Sequence, residues 1–170
     1  MTDMKIRTIL TVAFLAAIGF SGLRAQEVST QQNFDFIELP EQTWYYVNND
    51  FDGLWFQLPN EVDIVKGSEF RAVSKDGGFA VNMVKVNQPS TMKITTELCK
   101  RACDSFGLSR GSVRKIKFKG VKGVRAEGLI DGRKVVIVVL PYEDHQVQIV
   151  LMTDPFHTEW VEHFLKTLRK

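Results

Sequence analysis

Lys134 to Leu140 reads KVVIVVL, and it limits the fold more than any other stretch of the 170 residues. Successive side chains of a strand point to opposite faces, so a half-buried strand alternates apolar with polar. Here both faces are apolar. Such a strand sits in the middle of a sheet covered on both sides, so the chain must supply cover twice.

Two helical stripes are available for this. In the first, Thr95 or Thr96 serves as N-cap and Glu97 lies in the first turn. Leu98, Cys99, Ala102, Cys103 and Phe106 form one apolar face, and Gly107 stops the helix. In the second, Asp154 caps and Pro155 takes the first position. Trp160, Val161, Phe164, Leu165 and Leu168 form the apolar face.

The remaining segments read as strands. Phe34–Leu39, Thr43–Val47 and Leu54–Leu58 are aromatic and β-branched. Glu69–Val73 and Gly78–Val86 flank SKDGG, an Asp-Gly hairpin signal. Three strands follow the first helix. The first opens at KIKFK and runs on toward Ile130, with Lys115, Lys117 and Lys119 alternating with Ile116 and Phe118. Lys134–Leu140 is the second and Gln146–Met152 the third. Hairpin-sized turns join neighbours, so the expected fold class is α+β. The sheet should be mainly antiparallel, with helices packed on both faces as an α-β-α sandwich.

The N-terminus predicts export. Lys5 and Arg7 precede a twelve-residue apolar run, Ile9–Phe20, and SGLRA leads into Gln26. That is the layout of a secretory signal peptide. A membrane span needs roughly 20 apolar residues, and Arg24 closes the run early. The expectation is a signal peptide over residues 1–25 and a single globular domain over 26–170. The mature protein would be periplasmic or extracellular, with no integral membrane segment. Setting Lys5, Arg7 and Arg24 aside from the 22 bases, and Asp3 from the 20 acids, leaves 19 of each. A zero net charge gives no argument for nucleic-acid binding. The charges are unevenly spread, however. Gln26–Asp63 holds eight acids and no base, whereas Lys100–Lys134 holds eleven bases against Asp104, Glu127 and Asp131.

Few patterns suggest chemistry. NNDFDGLWF (Asn48–Phe56) opens like a calcium loop, but the twelfth position, where a bidentate Glu is required, is Pro59. Asp50–Gly53 therefore reads as a turn between strands. Cys99 and Cys103 are four apart on a helix, where Cβ atoms lie roughly 5–6 Å apart. A disulfide wants about 3.5–4.5 Å, so two buried thiols are expected. His145, His157 and His163 have no zinc-hydrolase spacing. GVKGVRAEG (Gly120–Gly128) lacks the Lys-Ser/Thr ending of a phosphate loop. Its glycines fit bulges or close packing. No catalytic residue, metal or cofactor is assigned.

FDGLWFQLP (Phe51–Pro59) resembles the recurring opening of the PsbP-like family: a turn, a Gly-started aromatic strand, then Pro. WVEHFLKTLRK (Trp160–Lys170) is similar to that family's closing helix. NEVDIV stands where the family has a Trp soon after the Pro. The resemblance implies an α-β-α sandwich with an antiparallel sheet. It also implies a protein-binding or accessory role without a shared catalytic residue.

The reading is therefore an exported, non-enzymatic accessory or protein-binding module of the bacterial envelope. Its partner is an unidentified protein, bound by a basic face of Lys115, Lys117, Lys119, Lys122 and Arg125. Two alternatives stay open. One is a small-ligand binder or enzyme with a pocket assembled from scattered residues such as Tyr142, Glu143, Asp144 and His145. The other is a surface module that grips an anionic polymer through the same basic residues.

Overall fold

The computed structural model describes residues 36–38, 44–49, 53–65, 69–142 and 144–169. Residues 1–25, where the sequence leads one to expect a signal peptide, Asp50 to Asp52 and Glu143 lie outside the described residues. Among the described residues, ten strands and two α-helices follow in order. They are β1 (Phe36–Glu38), β2 (Trp44–Asn49), β3 (Leu54–Pro59), β4 (Val62–Val65), β5 (Phe70–Ser74) and β6 (Phe79–Val86), then α1 (Met92–Ser105). After it come β7 (Arg114–Phe118), β8 (Val121–Ile130), β9 (Arg133–Pro141), β10 (Gln146–Thr153) and α2 (Thr158–Thr167). The strands form a small sheet, β1-β2-β3, and a seven-stranded sheet in the order β4-β5-β6-β10-β9-β8-β7. Every pairing is antiparallel.

The doubly apolar strand is β9, and it is covered twice. Val136, Val138 and Leu140 join a core built with Val161, Phe164, Leu165 and Leu168 of the α2 segment. Val135, Ile137 and Val139 join a second core built with Leu98, Cys99, Ala102 and Cys103 of α1. The small sheet shares the α2 side, where Leu54, Phe56 and Leu58 enter the first core. Trp55 N donates to Arg169 O (2.8 Å) and Arg169 N to Trp55 O (2.9 Å), so the segment after α2 pairs with β3. The fold class is the expected one: α+β, mainly antiparallel, with one helix on each face of the large sheet.

Three boundaries differ from the sequence expectation. The first helix begins at Met92, and Thr91 is its cap, its hydroxyl accepting from Ile94 N. Thr95 and Thr96 lie inside the helix and donate back to the Thr91 and Met92 carbonyls. That bond satisfies a threonine away from a cap. β4 forms after Pro59 as a short edge strand whose Val62 and Ile64 pack on the core. The third difference matters most. The KIKFK strand does not run on to Ile130; it turns back at Lys119 (φ 28°) and Gly120 (φ 90°). Two consecutive residues at positive φ make the tight hairpin turn that matches strand twist. Four strands, not three, therefore follow α1, and β7 becomes the edge of the sheet.

The glycines of the next strand serve close packing. A Cβ on Gly128 would fall 2.7 Å from Leu108 Cδ2, and one on Gly123 would fall 2.5 Å from Val139 O.

Candidate partner-binding face

The two-residue turn sets which basic residues share a face. Lys117 lies directly opposite Lys122 and Lys115 opposite Val124. Val124 belongs to the α1-side core, so Lys115, Lys117 and Lys122 stand on the α1 side of the sheet. All three are exposed, as is Lys119 at the tip of the turn. Among the described residues no acidic side chain forms an ion pair with any of the four. Like charges directly opposite one another in a sheet are destabilising. The Lys117–Lys122 pair is thus held at some expense to the fold.

Arg125 is not with them. It is opposite Arg114 in register and lies on the α2 side, 7% exposed. There it meets Glu127 at 2.7 Å and Glu162 of α2 at 2.8 Å. Lys134 adds a bond to Glu162 at 3.0 Å, and Arg114 reaches Glu127 at 2.7 Å. The Arg125 hydrogen bond, opposed by partial burial and helped by Lys134, holds the Glu162 carboxyl down at about 2. Arg125 therefore ties β8 to α2, while Lys115, Lys117 and Lys122 stay together on the other side, with Lys119 at the tip of the turn.

Residues of the scattered-pocket alternative hold one another in the β9–β10 turn. The His145 and Tyr142 rings stack with centroids 4.7 Å apart. His145 Nδ1 is 2.5 Å from Asp144 Oδ1. Tyr142 N donates to His145 O (2.9 Å), and Ser90 Oγ donates to Tyr142 O.

The remaining histidines are likewise tied. His163 Nε2 is 2.5 Å from Gln57 Oε1, linking α2 to β3. His157 sits between two carboxylates, with Nδ1 2.8 Å from Asp154 and Nε2 3.1 Å from Asp76. Asp76 is held below its ordinary value first by the Ser74 hydroxyl, then by Gly78 N–H. This clamp joins the β5–β6 turn to the start of α2. No sequence spacing signalled it, because Asp76 and His157 come together only through the β6–β10 pairing. Among the described residues, no group of three His, Cys, Asp or Glu side chains is gathered to hold a metal. Among the same residues, no helix is long and apolar enough to cross a membrane.

Cys99 and Cys103 are both free thiols with no exposed surface. Burial, with Cys103 beside it, pushes the Cys99 thiol up to about 12. The thiolate is the reactive form. Both thiols are expected to react with a disulfide-exchange reagent on the order of 100-fold more slowly in the folded protein than in denaturant. A chain isolated with no titratable thiol after unfolding would overturn the free-thiol assignment.

An antiparallel sheet with a helix on each face and a lysine-bearing edge hairpin defines an α+β sandwich with a charged rim. No family model matches the chain, and no curated protein matches it. Among solved structures it is similar to cyanobacterial PsbP from Synechocystis, with a TM-score of 0.51 and 12% identity, over 86% of this chain and 98% of that one. It also matches a crystal structure from Bacteroides thetaiotaomicron at TM-score 0.47 and 10% identity, over 68% of this chain. There it spans 44% of the other protein's length. The likeness to cyanobacterial PsbP supports a PsbP-like fold.

Proposed function

We propose that this chain is an exported, non-enzymatic accessory module that binds an acidic protein partner through Lys115, Lys117, Lys119 and Lys122. The observation that carries this reading is the Lys117–Lys122 pairing, two like charges in direct register with no acidic ion-pair partner among the described residues. An anionic partner relieves that repulsion on binding. The PsbP-like fold supports the accessory role, and the N-terminal layout supports export with a mature domain from Gln26 in the periplasm or outside the cell. Intact-mass measurement on envelope-fraction protein tests the start site, and a mass for all 170 residues would remove it.

Stability and binding should move in opposite directions. Lys122→Glu places a carboxylate opposite Lys117, so the free protein is expected to gain about 0.5–1 kcal/mol in urea unfolding. The same change should weaken capture of the native partner from envelope extract and flatten its salt dependence, since such contacts are screened over about 8 Å at physiological ionic strength. A variant that is more stable and still captures the partner unchanged would take the lysine face out of the function.

A second reading rests on a different observation. Asn82 Oδ1, Gln146 Oε1 and Nε2, and Gln148 Oε1 are buried without a hydrogen-bond partner among the described residues. Gln146 and Gln148 lie on the α1 side of β10, and Asn82 is on the adjoining strand β6. Buried polar groups ordinarily have partners, so this row supports a small-ligand role. Protection of these side-chain amides in solution by a bound small molecule would favour it.

A further inference from the structure

We propose that β7 receives an acidic, extended segment of the partner as an added strand, with an acid–apolar–acid pattern. The proposal rests on the lysine-face reading and goes beyond it in naming the geometry of the partner. β7 is the terminal strand, bonded to β8 alone among the described strands. In an antiparallel pair, alternate residues turn their N–H and C=O toward the neighbour and the others turn theirs outward. A row of outward-facing groups on an edge is a template for another strand.

The side chains of β7 decide which strand fits. Lys115 and Lys117 are exposed on the α1 side. On the other side Ile116 packs against the α2-side core and Arg114 is bonded to Glu127. Side chains directly across an added strand lie about 4.5–5.5 Å apart at Cβ. An incoming strand therefore meets cation, apolar, cation in succession. Its complement is acid, apolar, acid, the apolar residue continuing the core past Ile116.

The same lysines select against the commonest wrong partner. Edge lysines block pairing of an edge with its own copy, because the added strand would bring like charges together. A second copy of β7 is repelled, whereas an acidic strand is drawn in. Lys119 and Lys122 widen the cationic field at the turn without occupying the edge itself. Discrimination here comes from a repulsive element as much as from an attractive one.

The test uses the full chain and a fluorescein-labelled peptide of alternating Glu and Val, read by anisotropy at physiological ionic strength. Four comparison peptides go with it: the same sequence with alternate backbone nitrogens methylated in one phase, the same with the other phase methylated, a polyglutamate of equal charge, and an alternating Lys-Val peptide. The alternating acidic peptide is expected to bind at least ten times more tightly than polyglutamate. One phase of methylation should weaken it at least tenfold, and the other should have little effect. Amide hydrogen exchange in β7 should slow on binding. The double change Lys115→Glu, Lys117→Glu should abolish binding of the acidic peptide and create binding of the Lys-Val peptide, which also reports that the variant is folded. If both methylated peptides bind as well as the parent, strand addition is wrong and the lysine face stands. If the double variant keeps full affinity for the acidic peptide, both fall. If polyglutamate binds equally, the face grips an anionic polymer and the strand geometry is refuted.

Discussion

Phe164→Ala is expected to destabilise the protein by about 3–5 kcal/mol, the range for removing a buried aromatic ring. Phe164 has no exposed surface. Its ring lies 4.8 Å from that of Phe56 in β3, and Phe56 meets Phe70 of β5 edge-on at 5.3 Å. The run of rings Phe164–Phe56–Phe70 thus joins α2, the small sheet and the large sheet. These elements come from distant parts of the chain, so none can shift into the space without breaking its own pairing. The remaining cavity adds to the lost transfer energy. At about 2–4 °C per kcal/mol for a chain of this size, the melting temperature should fall by on the order of 10 °C. Urea unfolding followed by circular dichroism and by tryptophan fluorescence checks it, since Trp55 lies on β3 and Trp160 on α2. Both probes should report one shared transition. A loss below about 1 kcal/mol, or two separated transitions, would mean that β3 and α2 do not share a core.

Arg125→Ala should destabilise by about 2–3 kcal/mol at neutral pH. Breaking a buried ion pair can cost about 3–5 kcal/mol, and the lower figure follows because the Glu162 side chain is 51% exposed and its interaction is screened by solvent. The pH dependence separates this from a simple packing loss. With Arg125 bonded to it, Glu162 titrates at about 2 in the fold against an ordinary 4.5. The unfolded chain therefore takes up this proton first. Its contribution is complete above pH 4.5 and is lost as pH falls toward 2. The variant lacks the Arg125 contribution, so the stability gap between wild type and variant should narrow through that window. A gap that stays constant from pH 6 to pH 2.5 would assign the whole effect to the Arg125 stem.

The strand at the centre of the fold was legible because it needs no partner to be recognised. Six apolar residues in extended chain demand cover on both sides whatever covers them, and α1 and α2 carried complementary stripes. The SKDGG turn and the Asp154-Pro155 helix start were legible for a related reason. Local backbone chemistry decides both: Asp76 bonds Gly78 N within the turn, and Asp154 caps the N–H groups of Phe156 and His157. The Lys119–Gly120 turn was not legible, since lysine carries no turn signal and KFKGVKGV continues a strand-like alternation. That single turn decided the candidate site. In one continuous strand Lys115, Lys117, Lys119 and Arg125 would share a face, and Lys122 would lie on the other. A two-residue hairpin pairs odd positions of β7 with even positions of β8, as Lys117 with Lys122. It brought Lys122 onto the lysine face and sent Arg125 to the opposite side, into the carboxylates of Glu127 and Glu162. Residue types along the chain determined that a basic, half-buried strand exists at KIKFK. The face each base occupies was decided only by the register, because strand side chains repeat every two residues and the turn between β7 and β8 reverses the phase.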